Sequence, residues 1–218
     1  MLILAFDCSG PACSVALWRD GTVLAQERER MERGQAEALM PMIDRVMKAG
    51  ATAFQALDRI AVSVGPGSFT GVRAGLAAAR GLSLASRIPA VGILSTAALA
   101  AAVPQDERRT ATRILAAIDT KRGDFYVHQF EADGTPHAQP VAMTATALPA
   151  WLGNSRVVIV GDGAATAVLT LGNGAKVSSA DSLIDAGVLA ALAARAAPQP
   201  EGPVPVYVHP PAVTLPTP

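Results

Sequence analysis

The string Gly65-Pro-Gly-Ser-Phe-Thr-Gly-Val-Arg73 constrains this chain more than any other segment. It joins an apolar run, Arg59 to Val64, to a small-residue stretch that reaches about Ser86. The run reads as a buried strand and the stretch as a long helix, so the string is a strand-to-helix turn. Its glycines let backbone approach a neighbour closely, and Ser68 and Thr70 are placed to cap the helix. The helix N-terminus then presents unpaired N–H groups to an anion, which makes Gly65, Gly67, Ser68, Thr70 and Gly71 candidate phosphate-facing residues. The Gly-Lys-Ser/Thr ending of a Walker A loop is absent, so no lysine reaches a phosphate from this loop. A tight structural connection with a capped helix is the competing reading, and the local sequence leaves both open.

The remaining pattern supplies the frame. Residues 2–6 read as a buried strand closed by Asp7, Ser9-Gly-Pro11 as a turn, and Ala12 to Trp18 as a second strand. Asp20-Gly21 is a hairpin signal, with Thr22 to Glu27 returning as the third strand. From Gly34, the spacing of Ala36, Leu39, Met40, Ile43, Val46 and Met47 predicts an amphipathic helix ended by Gly50, with Pro41 bending it or marking a late start. Ala90 to Ile93 reads as a strand, and Ser95 as the cap of a helix running to Val103.

Pro104 to Thr110 is the most polar stretch and the expected boundary between a first lobe, 1–104, and a smaller second lobe, 105–197. In the second lobe, strands are expected at Arg113–Ile118, Asp124–Phe130, after Gly134, and at Val157–Val160. A helix is expected over Thr146–Leu152, and Gly161-Asp-Gly163 opens another. Asp181 is the expected cap of a last helix reaching about Ala197. The tail, 198–218, carries eight of the sixteen prolines and is expected to be neither helix nor central strand, with Val204 to Val208 along a sheet edge. The two halves share a strand–strand–strand–helix order, which points to a duplicated architecture.

Composition narrows the function. The 218 residues are 50% hydrophobic and only 17% charged, so a globular core is easily filled. Eighteen Lys+Arg balance eighteen Asp+Glu, which argues against gripping nucleic acid alone or an anionic membrane. The two cysteines, Cys8 and Cys13, are too few for a disulfide framework or a structural zinc site and read as small buried hydrophobes. The opening apolar run lacks a basic leader, and no apolar run reaches the ~18 residues of a membrane span, so the expected location is cytoplasmic. His128, His137 and His209 form no His-x3-His pair or His-Glu-x-x-His helix, and no Gly-x-Ser-x-Gly elbow is present. A metalloenzyme and a serine hydrolase are disfavoured.

Three turns at strand ends could carry chemistry. Asp7-Cys8-Ser9 offers a carboxylate and a hydroxyl that could hold a phosphate-bound metal ion or orient water; alternatively Asp7 and Ser9 satisfy turn backbone. Gly161 and Gly163 form a second glycine turn. With the 65–71 loop, these would line a nucleotide cleft in a two-lobed α/β protein. A surface is also suggested. Small residues at four-residue steps (Gly71–Gly75, Ala74–Ala78, Ala77–Gly81) let another helix approach, and the methionine-rich helix suits adaptable contact, with ordinary internal packing as the alternative.

The opening Ile3-Leu-Ala-Phe-Asp-Cys-Ser9, the segment Glu37-Ala-Leu-Met-Pro-Met-Ile43 and the 65–73 string together resemble the TsaB (YeaZ) family. The likeness continues in Ile118-Asp-Thr-Lys-Arg-Gly-Asp-Phe-Tyr126, Gly161-Asp-Gly-Ala164 and Pro205-Val-Tyr-Val-His209, and so covers nearly the whole chain. This resemblance implies an actin/Hsp70-like (ASKHA) α/β fold of two lobes, glycoprotease (M22)-like, with a reduced second lobe and no metal-binding histidine pair. It implies a noncatalytic subunit that binds and activates a TsaD-type enzyme in threonylcarbamoylation of adenosine 37 of tRNA. A TsaE-type ATPase joins the assembly, tRNA is met only within the complex, and self-association into a dimer uses the same helices.

The implied pairing face comprises Leu39, Met40, Ile43 and Met47 with Gly71, Ala74, Gly75 and Ala78. No intrinsic cofactor is implied; ATP or ADP would occupy a site shared or composite within the complex. The family commonly has Thr in place of Cys8, His in place of Gln35 and Arg in place of His209. The alternative function is an independent ASKHA-type ATPase or small-molecule kinase using Asp7 at the phosphate turn. A glycoprotease has only fold analogy behind it.

Overall fold

A computed structural model describes residues 1–153, 155–199 and 201–209. Residues 210–218 of the expected tail lie outside the described residues. The first half contains strands β1 (Leu2–Asp7), β2 (Ala12–Arg19), β3 (Thr22–Arg30), β4 (Arg59–Ser63) and β5 (Ala90–Ile93), with helices α1 (Gln35–Ala49), α2 (Phe69–Ser86) and α3 (Ser95–Ala102). The second contains α4 (Gln105–Thr110), β6 (Arg113–Asp119), β7 (Phe125–Glu131), β8 (Val141–Met143), α5 (Leu148–Leu152), β9 (Val157–Val160), α6 (Ala164–Leu171), β10 (Ala175–Val177) and α7 (Ala186–Ala193).

The two sheets have one topology. The first is ordered β3-β2-β1-β4-β5 and the second β8-β7-β6-β9-β10. In each, the first three strands form an antiparallel meander; the central strand then pairs in parallel with the fourth strand, which pairs in parallel with the fifth. The duplication suggested by element order is therefore present strand for strand, with short strands β8 and β10 marking the reduced copy.

Central β1 is apolar from Leu2 to Phe6, before its closing Asp7, because both its faces are covered. One face, with Leu4, Phe6, Val15 and Leu17, packs under α1 and α2. The other, with Ile3, Ala5 and Ala16, packs against α7 and joins a core that reaches Ile114 and Val160 of the second sheet.

The terminal helices of the halves cross over. α3 packs on β6 and β7 of the second sheet, whereas α7 packs on β1, β2, β4 and β5 of the first. Buried Arg59 on β4 fixes the second crossover, donating to the carbonyls of Ala193 and Ala196 at the end of α7. A guanidinium there satisfies carbonyls that the helix leaves unpaired and complements its dipole.

Local departures from the sequence reading have physical reasons. α1 starts at Gln35 and continues through Pro41, because Pro41 and its carbonyl partner position Glu37 both face solvent. Ser95 is the first helical residue of α3 and makes no cap; its hydroxyl is taken by Ser9, 2.9 Å away. The cap of α7 is Asp185, accepting from Gly187 and Val188, while Asp181 instead pairs with Arg28.

The polar 104–110 stretch is not a free linker. It forms α4, whose buried Glu107 accepts from the Ser178 hydroxyl and the Ser179 N–H. The strand expected after Gly134 forms later, as β8, and β10 is an additional strand. Val204 to Val208 is no strand, although the Val206 N–H donates to the Val64 carbonyl at the end of β4.

Candidate functional site

A cavity of about 320 Å³ opens between the lobes. The first lobe contributes Asp7, Ser9, Gly67 and Ser68; the second contributes Asp119, Lys121, Arg122, Tyr126 and Asp162. Asp7, Ser9, Gly67 and Ser68 thus share one cavity lining, which does not include Gly65, Thr70, Gly71, Gly161 or Gly163.

Their hydrogen bonds change what they can do. Asp7 is 1% exposed, and its Oδ1 accepts from the Ser9 N–H at 3.0 Å, the Ser9 hydroxyl at 2.6 Å and the Ser63 hydroxyl. Burial raises the Asp7 carboxyl above its usual range, against the lowering effect of the bonds from Ser63 and Ser9. Oδ1 of this carboxylate is thus already engaged with its own chain. Among the described residues, no group of three or more His, Cys, Asp or Glu is placed to hold a metal ion.

The glycine loop is likewise closed on the protein. The Ser68 N–H donates to the Ser9 carbonyl at 2.7 Å, and a Cβ on Gly67 would collide with that same residue. Gly71 is buried against the Cys8 carbonyl, with no room for a methyl group. Ser68 does cap α2, accepting from the Gly71 N–H at 3.3 Å. Gly65 (φ 94°) packs under the Val206 carbonyl, and Thr70 lies exposed on α2 outside the cavity lining. Gly161 (φ 112°) and Gly163 abut the Ala117 carbonyl and the Phe125 ring, so they too serve close packing.

The free chemistry lies on the opposite wall. Lys121 sits 3.0 Å from Asp119 and 3.7 Å from Asp162, while Arg122 has no carboxylate partner among the described residues. Burial raises the Asp162 carboxyl, opposed by the Asp119 N–H and Lys121. The Asp119 bond raises the Lys121 ammonium, which therefore stays charged. Asp119, Lys121 and Arg122 were visible only within the Ile118–Tyr126 resemblance, and Asp162 only as the middle of the Gly161-Asp-Gly163 turn; Lys121 occupies a left-handed turn (φ 61°), which spacing does not reveal.

The expected pairing face also divides. Leu39, Ile43 and Met47 are 1–3% exposed and belong to the first-lobe core; Gly71 and Gly75 are buried beneath α2. These five cannot offer side chains outward. Met40 is 46% exposed, and Ala74 and Ala78 are half-buried at the surface. The outer row of α2 is instead Ala77, Gly81, Leu84 and Ala85, with Leu84 84% exposed.

The architecture is that of a two-lobed actin/Hsp70-like protein. Its fold matches the activator of the 2-hydroxyisocaproyl-CoA dehydratase from Clostridium difficile, at a TM-score of 0.55 and 12% identity, covering 88% of this chain and 94% of that one. Residues 24–188 match the family model described as TsaD: tRNA N6-adenosine threonylcarbamoyltransferase.

The chain belongs to this family and, within it, to the TsaB (YeaZ) group. It is 38% identical over 133 residues to the tRNA threonylcarbamoyladenosine biosynthesis protein TsaB of Escherichia coli (strain K12), covering 61% of this chain and 56% of the relative. A crystal structure of a Pseudomonas aeruginosa protein with similarity to peptidase YeaZ superposes with a TM-score of 0.79 at 28% identity, covering 95% and 99% of the two chains. The matched segment spans just over half the length of the Escherichia coli relative.

Proposed function

We propose that this chain takes part in forming N6-threonylcarbamoyladenosine in tRNA, as a noncatalytic subunit that binds and activates a TsaD-type enzyme acting on adenosine 37. The observation carrying this reading is the outward face of α2. On this 18-residue helix the exposed row is apolar, with small Ala77, Gly81 and Ala85 around the large Leu84. The arginines beside this row are turned to the chain itself: Arg73 donates to the Tyr207 hydroxyl and Arg80 to the Pro203 carbonyl. Such an exposed strip suits close helix–helix approach. Met40 of α1, with Ala74 and Ala78, extends it.

On this reading the same strip supports self-association when the partner is absent. A TsaE-type ATPase and tRNA meet the subunit only within the assembly, in the cytoplasm. The engaged state of Asp7 supports placing ATP or ADP at a composite site in the complex, with Lys121 and Arg122 as this chain's contribution to phosphate. No described helix is long and apolar enough to cross a membrane.

The test is direct association of the purified chain with a TsaD-type subunit, followed by sedimentation or titration calorimetry. The double variant Leu84→Glu/Met40→Asp should weaken the pair by more than about tenfold, roughly 1.4 kcal/mol. Both positions are exposed, so circular dichroism should remain unchanged. Undiminished binding by the folded double variant would remove α2 and α1 as the pairing face.

A further inference from the structure

The chain's only two cysteines face each other at the closing pair of the β1–β2 hairpin, and neither is needed by the reading above. Their sulfurs lie 3.6 Å apart, at 1% and 0% exposure, within the core beneath α1 and α2. We propose that Cys8 and Cys13 form an oxidisable dithiol, a modification site that takes a small peroxide and closes to an intramolecular disulfide.

Backbone register supports the closure. β1 and β2 pair from Leu2↔Arg19 to Asp7↔Ser14, so Cys8 and Cys13 stand opposite one another one step further. The Asp20 N–H donates to the Met1 carbonyl, making Met1–Asp20 a hydrogen-bonded pair. Alternation along the ladder then puts Cys8–Cys13 at a non-hydrogen-bonded position, where Cα atoms stand about 4.5 Å apart and side chains are closest. That separation falls inside the ~4.4–6.8 Å that a disulfide spans, so rotation of the two side chains suffices to join them. The connecting turn, with half-buried Gly10 and Pro11, lines the interlobe cavity while the two sulfurs do not, so a small oxidant reaches them when this turn opens.

The two sulfurs are also chemically unequal. Either sulfur can donate in the Cys8–Cys13 contact; with Cys8 donating, the Cys13 thiol is lowered below its ordinary value and Cys8 is raised. We take Cys13 as the nucleophile. Its thiolate attacks one peroxide oxygen; the S–O bond forms, the O–O bond breaks, and hydroxide leaves to become water with the proton Cys13 gave up. The Cys8 sulfur then attacks the sulfenic sulfur of Cys13; the S–S bond forms, the S–O bond breaks, and hydroxide leaves with the Cys8 proton as a second water. Two thiols and one hydrogen peroxide give one disulfide and two waters, the two electrons passing from sulfur to peroxide. The bond would fix the hairpin end whose Cys8 carbonyl seats Gly71 and whose Ser9 holds Asp7 and the Ser68 N–H.

The experiment treats the folded full chain with hydrogen peroxide, then denatures it in N-ethylmaleimide and reads intact mass. The untreated chain should take two alkyl groups. The treated chain should take none, lose about 2 Da, remain monomeric on a nonreducing gel, and regain two alkylatable thiols with dithiothreitol. The Cys8→Ser variant, treated alike, should show no such loss and gain oxygen at Cys13 instead. Two alkylations after peroxide, stable oxygen adducts in place of the mass loss, an intermolecular dimer, or the same loss in Cys8→Ser would each overturn the proposal.

Discussion

Asp7 sits where the sequence suggests a ligand for metal-bound phosphate, and its surroundings make it a proton-linked structural group. A carboxyl whose native pKa is raised stabilises the fold fully below its unfolded value, and that contribution is lost as pH rises through the native value. The residue is raised by burial. Asp7→Asn keeps an oxygen to accept from Ser9 and Ser63 but carries no titration. Its stability relative to the natural chain should therefore climb as pH rises from about 4 towards neutrality, as read by denaturant unfolding across that range. A difference that is flat with pH contradicts the assignment.

Gly71 is a second residue-scale test. A methyl group there meets the Cys8 carbonyl, so Gly71→Ala should destabilise by about 1–3 kcal/mol despite the better helix propensity of alanine. The glycines of this loop were legible as positions of close backbone approach. What approaches them was not, because Ser9, Cys8 and Val206 are brought in by distant segments.

Among the elements, α1, α2 and the central strands were readable because a buried stripe at three- and four-residue steps, or an unbroken apolar run, survives in any tertiary context. Caps were less so. Ser95 and Asp181 each precede an apolar helical stretch and have the chemistry of a cap, but tertiary partners claim them: Ser9 takes one and Arg28 the other. α4 was hidden for the same reason, since its polar sequence looks like a linker until Ser178 and Ser179 arrive to bind Glu107. Burial works against that carboxylate, but the bonds from Ser178 and Ser179 outweigh it and hold Glu107 below its ordinary range. Its contribution is present above the unfolded pKa and lost as pH falls through the native one. Glu107→Gln should therefore lower the melting temperature at neutral pH, and the deficit should shrink as pH falls below about 4.5.

The segment from Pro203 to His209 is the other element that the sequence only outlined. Arg80 holds the Pro203 carbonyl, Arg73 binds the Tyr207 hydroxyl at 3.0 Å with its guanidinium 3.6 Å over the Phe69 ring, and His209 lies 2.9 Å from Asp124 of the second lobe. This segment runs from the first lobe to the second across the glycine loop. Tyr207→Ala should lower stability by about 1 kcal/mol in thermal or denaturant unfolding, the scale of one partly exposed hydrogen bond and stacking contact. No loss would mean that the segment rests on the surface without holding it.

At the scale of the molecule, duplication and crossover decide what the chain presents outward. Two sheets of one topology exchange α3 and α7 across a shared core, which buries β1 on both faces and leaves α2 as the long outer helix. The repeat was visible as an order of elements; the exchange was not, since nothing in the spacing of α3 or α7 says which sheet each will cover. On the proposed function, zero net charge fits a division of labour in which partners grip the RNA and this chain supplies apolar helix surface.

On the function proposed above, the chain acts by enabling a TsaD-type enzyme. The most direct test is formation of N6-threonylcarbamoyladenosine on tRNA by the reconstituted TsaD-type and TsaE-type subunits with threonylcarbamoyl-adenylate, with and without this protein. Modification should depend on the natural chain, persist with Asp7→Asn, and fall by at least about tenfold with Leu84→Glu/Met40→Asp. Equal modification when the chain is left out would contradict the account.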